Sequence, residues 1–159
     1  VFRECHRVAK EDGSLIFTFH HRAPEAWAGL GRAVLGAGFE VREICPVRSE
    51  GRSGLHTYEG TIKWDAVFDC RRVARVRGAT PTQRAIEDAA VRAHAQAQEW
   101  ATHIRRSRLR FSPADQESFA MACTIKVFSE RALDARFLAA ALTRVCELGR
   151  RRARKIERK

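Results

Sequence analysis

Five consecutive residues, Leu15-Ile-Phe-Thr-Phe19, are apolar or β-branched and show no clean polar alternation. Introduced by Gly13, such a run predicts a strand buried on both faces of a parallel sheet. A helix is expected directly afterwards from Pro24, because proline suits the first helical turn. A buried strand feeding a helix points to an open α/β sheet. In such sheets ligands bind outside the C-terminal ends of the strands. That places His20, His21 and Arg22 on the expected functional rim.

The neighbouring pattern extends the sheet. Upstream, Phe2, Cys5, Val8 and Ala9 fit the closing turns of an amphipathic helix. With no start signal before them, the chain is expected to be the back part of something longer. Downstream, Trp27, Leu30, Val34 and Leu35 stripe a helix that Gly38 ends. Val41, Ile44 and Val47 suggest a second strand, with Pro46 near its end where a missing N–H is tolerated. Lys63 to Cys70 reads as a third strand. Trp27 and Trp64 read as core anchors. The intervening connection, residues 48–61, is polar and glycine-bearing, and long loops of this kind are often functional. It holds no helix, so the last two strands are expected to pair antiparallel.

From Thr80 the period becomes helical. Thr80-Pro81-Thr82-Gln83 resembles a capping box with proline at the first helical position. Ile86, Ala90, Ala93, Ala97, Trp100 and Ile104 share one face. Ser112-Pro113-Ala114-Asp115 repeats the start signal for a second helix to about Phe128. Leu133, Phe137, Leu138, Ala141, Leu142, Val145 and Leu148 stripe a third. Two regions are expected: residues 1–77, built on the sheet, and residues 78–159, helical with a basic tail.

Charge narrows the partners. The chain carries 30 Lys and Arg against 19 Asp and Glu, a net +11. Arg150–Lys159 alone holds seven basic side chains and one acidic, over half of the excess. A basic tail favours polyanions through phosphate contacts, although a solvated helix end explains the same residues. No run is apolar enough to span a bilayer, which takes about 20 residues, so no membrane partner is expected. The five cysteines are scattered with no C-x-x-C pair. Reduced thiols in the cytoplasm are expected, and no metal site.

Phe2-Arg-Glu-Cys-His-Arg-Val-Ala-Lys-Glu-Asp-Gly13 is similar to a helix-to-strand junction of class I S-adenosylmethionine-dependent methyltransferases, often written E-x-x-R-V-L-K-x-G-G. Leu15-Ile-Phe-Thr-Phe-His-His-Arg-Ala-Pro-Glu-Ala-Trp27 resembles one group of them: adenine-specific DNA methyltransferases of bacteria and archaea, large enzymes that sometimes carry a zinc ribbon. Pro46-Val-Arg-Ser-Glu50 and Lys63-Trp-Asp-Ala-Val67 resemble the hairpin of that group. Ser112–Asp115 and Lys126-Val-Phe-Ser129 are weakly similar to its helical C-terminal region. The resemblance is good over residues 2–72 and loose beyond. It implies the C-terminal half of a Rossmann-like methyltransferase sheet: a parallel strand, a crossover helix and an antiparallel hairpin, followed by a helical appendage.

The family's Gly-rich cofactor loop and D/N-P-P-Y/F/W motif are absent, and the sequence contains no Pro-Pro dipeptide. No catalytic or cofactor-binding residue is therefore carried over. The resemblance implies S-adenosylmethionine in the full enzyme and none on this piece alone. DNA and the missing N-terminal half of the domain are the implied partners, the latter on the same or a separate chain. His20, His21, Arg22, Arg48, Arg52, His56, Tyr58 and Lys63 are the rim candidates for DNA or the target base, with helix capping and a solvated loop as the plainer readings. Arg105, Arg106, Arg108 and Arg110, with Arg150, Arg151, Arg152, Arg154 and Lys155, are the phosphate candidates. The expected function is the C-terminal portion of a DNA adenine N6-methyltransferase, inactive by itself. The alternative is a non-catalytic nucleic-acid-binding or assembly subunit that pairs its strand edge with a separate cofactor-binding chain. A weaker third is a methyltransferase acting on RNA or a small molecule.

Overall fold

A computed structural model describes residues 1–49, 61–74 and 78–157, with side chains as far as Arg151. The fold is mixed α/β. Three strands, β1 (Ser14–Phe19), β2 (Phe39–Arg48) and β3 (Trp64–Arg72), form one sheet in the order β1-β3-β2. Five helices accompany it: α1 (Phe2–Val8), α2 (Pro24–Gly36), α3 (Gln83–Arg106), α4 (Pro113–Glu130) and α5 (Leu138–Glu157).

The expected antiparallel pairing of β2 and β3 is present, running from Phe39 opposite Arg72 to Arg48 opposite Trp64. A bulge at Arg42 shifts the register between Val41 and Glu43. β1 departs from expectation. It is not buried between parallel neighbours. It lies at the sheet edge, antiparallel to β3, with Leu15 opposite Cys70 and Phe19 opposite Ala66. Its burial alternates, and Ile16 on the outer face is 65% exposed. The cause is the position of β3, which inserts between β1 and β2. Helix α2 thus joins two strands that point the same way without touching. Apolar composition misleads here because Ile16 and Thr18 keep the outer face free of charge.

The inward face builds the core. The Phe17 and Phe68 rings stack at 4.9 Å, and Trp27 meets Phe19 edge-on at 4.8 Å. Trp27 and Phe68 are fully buried, so truncating either to alanine is worth about 3–5 kcal/mol. The helical region, expected as an appendage, covers this face. Its buried residues and those of the strands form one continuous core. Helix α3 buries Ile86, Ala89, Ala90, Ala93, Ala97, Ala101 and Ile104, a small-residue face that lets α4 and α5 approach closely. Trp100, expected on that face, is 37% exposed, because Ala101 takes the inward position after Ala97.

Local signals set the helix starts. The Thr82 hydroxyl caps α3 by accepting from Ala85 N, so Pro81 precedes the cap rather than occupying the first turn. Ser112 and Asp115 form the predicted capping box of α4. The third predicted helix divides into a 3-10 turn, Ala135–Phe137, and α5, whose basic end stays helical to Glu157. Gly38 closes the turn after α2 at φ +94, and a Cβ there would meet His6 Nε2 at 2.8 Å.

The chain shuttles between two ends of the molecule. β1, β2, α3 and α5 run towards one end, while α2, β3 and α4 run back. The first end therefore gathers residues 20–24, 48–49, 61–64, 106–113 and 150–157. The second gathers 9–13, 36–39, 72–74, 78–82 and 131–138.

Candidate nucleic-acid interface

At the first end, β1 delivers His20 beside β3. The His20 Nδ1–H donates to the Asp65 carboxylate. This fixes the ring, which is half exposed. His21 serves the fold instead. Its Nδ1 accepts from Ala23 N at 2.9 Å, at the start of α2, and its carbonyl accepts the Trp27 indole N–H at 2.8 Å. Arg22 and His21 line a cleft of about 250 Å³ whose far wall is α4, with Ala114, Glu117, Ser118 and Met121.

The connection after β2 is pinned at its neck. Ser49 N donates to the Lys63 carbonyl at 3.0 Å. Lys63 N donates to the Asp115 carboxylate at 2.6 Å. The side chains of Arg48 and Lys63 are exposed. Arg52, His56 and Tyr58 lie outside the described residues.

The second basic cluster abuts this rim. The Trp64 indole N–H donates to the Arg110 carbonyl at 3.0 Å, and its ring meets Phe111 edge-on at 5.5 Å. Arg105, Arg106, Arg108 and Arg110 are exposed, as are Arg150 and Arg151. Arg150 reaches Glu117 at 3.6 Å, which brings the start of the basic tail to the same end. The side chains of Arg152, Arg154 and Lys155 lie outside the described residues. Segments expected at three separate places in the sequence thus meet on one surface.

The surface arginines divide into those that form an ion pair and those that form none among the described residues, the latter including Arg3, Arg32, Arg42, Arg84 and Arg92 elsewhere on the molecule. Arg7, Arg71, Arg136 and Arg144 each pair with a carboxylate. Among the described residues no ion pair is formed by Arg105, Arg106, Arg108 or Arg110. Like charges gathered in one short segment repel one another, and a polyanion removes that penalty.

Four residues that shape the site were not singled out from the sequence for it. Asp65 has one faint signal, an acid at an outer-face position of an apolar strand. Asp115 was legible only as a capping residue, and nothing local signals its bond to Lys63. Trp64 was legible as a core anchor, which it is, but not as a donor to the Arg110 carbonyl. Glu117 carries no signal at all.

Other chemistry is poorly served. All five cysteines are free. Burial pushes the Cys70 thiol up to about 12, and burial with Glu117 does the same for Cys146. Burial also raises Cys123 strongly. Such thiols are inert as nucleophiles at neutral pH. Among the described residues no group of three His, Cys, Asp or Glu could hold a metal ion, and no helix is long and apolar enough to cross a membrane. The rim cleft does not fit S-adenosylmethionine. The rim cleft is smaller than ordinary cofactor sites of about 300–1,000 Å³, and its acid, Glu117, is engaged by Arg150. A larger groove, lined in part by Arg32, Gly38, Ser129 and Arg136, opens at the opposite end, away from the C-terminal end of β1.

No family model, no curated protein and no solved structure matches this chain.

Proposed function

We propose that this chain is the nucleic-acid-facing part of an adenine-specific DNA methyltransferase, the closing half of its sheet with a basic helical layer. One observation carries the nucleic-acid reading: basic segments distant in sequence converge at the end where β1 terminates in His20, and the four arginines of the α3–α4 connection form no ion pair among the described residues. The methyltransferase reading rests on the sequence resemblance. The strand arrangement is compatible with it, since β1 and β2 point the same way and are joined by a crossover helix. In this reading the cofactor loop and the D/N-P-P-Y/F/W motif come from other sequence, in the same polypeptide or a separate one. The arginines of the α3–α4 connection and of α5 hold phosphates. His20, oriented by Asp65, faces the target nucleotide.

Fluorescence anisotropy with a duplex oligonucleotide tests the first part. Log K is expected to fall linearly with log salt, by about 0.9 per phosphate contacted; binding indifferent to salt refutes it. The second part is tested by methyl transfer to adenine. The chain alone is expected to be inactive, and a complex with a polypeptide bearing the missing motifs active. An inactive complex that still binds duplex would leave the non-catalytic subunit. The outer edge of β1, which pairs with no other strand among the described residues and has Ile16 exposed beside it, is the observation that favours that second reading.

A further inference from the structure

We infer that the loop joining α3 to α4, residues 107–112, is a preformed seat for a phosphodiester backbone, with Arg108 at its tip and Trp64 and Asp115 as positioning residues. The inference rests on the nucleic-acid reading above and assigns it a specific device.

The first observation is the backbone of Arg108. Its φ is +58, in the left-handed region. Helices often end with one such residue, and it is usually glycine. Here the turn is closed by Ser107 N to His103 O at 3.1 Å, Arg108 N to Arg105 O at 2.9 Å and Leu109 N to Ile104 O at 3.1 Å. A glycine would adopt this turn without strain. The Arg108 side chain is exposed and forms no ion pair among the described residues. The left-handed backbone, which Ala132 shares at φ +46 at the end of α4, puts Arg108 at the tip of the turn with its guanidinium exposed to a ligand.

The second observation is how firmly the loop is held. Asp115 is 2% exposed, and its carboxylate accepts from Lys63 N at 2.6 Å, Ser112 N at 2.8 Å and Ser112 Oγ at 2.6 Å. Trp64 donates to the Arg110 carbonyl, and Gln116 Nε2 donates to the Phe111 carbonyl at 3.1 Å. The loop is thus fastened to the first residues of β3 and to α4 before any ligand arrives. Preorganisation of this kind reduces the ordering cost of binding. The capping box already occupies the start of α4, so the helix end is not the seat.

The third observation is composition. Arg105, Arg106, Arg108 and Arg110 fall within six residues, with no lysine and no acid among them. Guanidinium forks bind phosphate oxygens in pairs, which ammonium groups do not. Lys63, tied through its backbone to Asp115 beside the loop, extends the surface beyond one anion, which suits a chain of phosphates.

Salt-titrated anisotropy on the full chain, beside thermal melts, decides the matter. Arg108→Gly is expected to bind duplex roughly tenfold more weakly and to flatten the log–log salt slope by about 0.9, the value for one phosphate. Its melting midpoint should be equal or higher, because glycine accepts the left-handed backbone. Unchanged binding, or a lower midpoint, overturns the assignment. Arg108→Lys keeps the charge and should keep the slope while affinity falls a few-fold; full wild-type affinity in this variant removes the fork from the argument. Trp64→Phe keeps every charge, so it should weaken binding with the slope intact. If it unfolds, Gln116→Met, which also keeps every charge and removes the bond to the Phe111 carbonyl, makes the same test of positioning. Poly-glutamate competing as well as duplex of equal charge would overturn the phosphodiester assignment in favour of an acidic protein. A wild-type chain that binds no duplex overturns the nucleic-acid reading itself, whereas duplex binding indifferent to Arg108 overturns only this inference.

Discussion

The two ends of the molecule are built on opposite plans. At the end where β3 finishes, the chain closes on itself. Ala79 N donates to Ala132 O at 2.8 Å, Asp134 N to Ala79 O at 2.9 Å and Val73 N to Gly38 O at 2.9 Å. Arg72 reaches the Ala9 carbonyl, Arg136 pairs with Asp134 and Arg71 with Glu40. At the end where β1 finishes, backbone anchors are just as numerous, but the arginines of the α3–α4 connection stay unpaired. Lys10, Arg32 and Arg131 at the closed end form no ion pair among the described residues either, so the contrast lies in density: four arginines within six residues, on a loop held in place where an external anion can reach them.

The largest expected effect separates core from charge. Cys70, Cys123 and Cys146 are buried with raised pKa values, Cys70 and Cys146 to about 12. The unfolded chain releases these protons first, at an ordinary thiol pKa of about 8.5. Stability is therefore full below that pH and falls as pH rises towards 12, by about 1.4 kcal/mol per pH unit for each thiol. Arginine keeps its charge throughout. Urea midpoints should drop steeply in this window while the still-folded fraction keeps its salt slope. Duplex affinity that fails before the fold does would break the separation of the two ends.

Next in size is Gly78→Ala. A Cβ there would lie 2.6 Å from the backbone of Leu133 and Asp134, which cannot swing aside. Overpacking of this kind costs about 1–3 kcal/mol, measurable by chemical denaturation. The damage lies at the closed end, so the salt slope for duplex should not change. A changed slope would mean that the two ends are coupled.

The sequence foretold elements better than their neighbours. Ser112 with Asp115 announced α4, and the lack of a helix between Val47 and Lys63 foretold the β2–β3 pair, because both signals are local. The partner of β1 was not legible, since pairing is a long-range choice that the composition of Leu15–Phe19 does not encode. The basic segments were legible as charge runs, but their meeting point depends on the direction of each helix. Asp115 shows the limit most clearly. Its capping role follows from a three-residue spacing, whereas its bond to Lys63 joins residues 52 apart.

Removing Arg150–Lys159 should have a moderate effect. Seven basic side chains leave with one acidic, and the log–log slope should flatten by about 0.9 for each phosphate that is no longer neutralised. The α3–α4 connection remains, so weak duplex binding should persist. A slope identical to wild type would mean that the end of α5 is only a solvated helix terminus, and the binding end would shrink to the loop and rim.

The smallest effect should come from His20 and Asp65. Their bond lies on the rim, with the histidine half exposed. Exposed pairs of this kind contribute about 0–1 kcal/mol. His20→Ala and Asp65→Asn should each shift the urea midpoint by no more than that range allows, and should leave duplex affinity and slope nearly unchanged in the isolated chain. The open end predicts this outcome, because its side chains are arranged for a partner rather than for the fold. In a complex that carries the missing motifs, His20→Ala should lower the methyl-transfer rate more than duplex affinity, and Asp65→Asn should follow it in the same direction. If either change instead cost the isolated chain well over 1 kcal/mol, above the range for exposed pairs, the pair would be a structural clasp. The two ends would then differ only in net charge, and the contrast between a closed end and an open one would fail at the residue where β1 meets its rim.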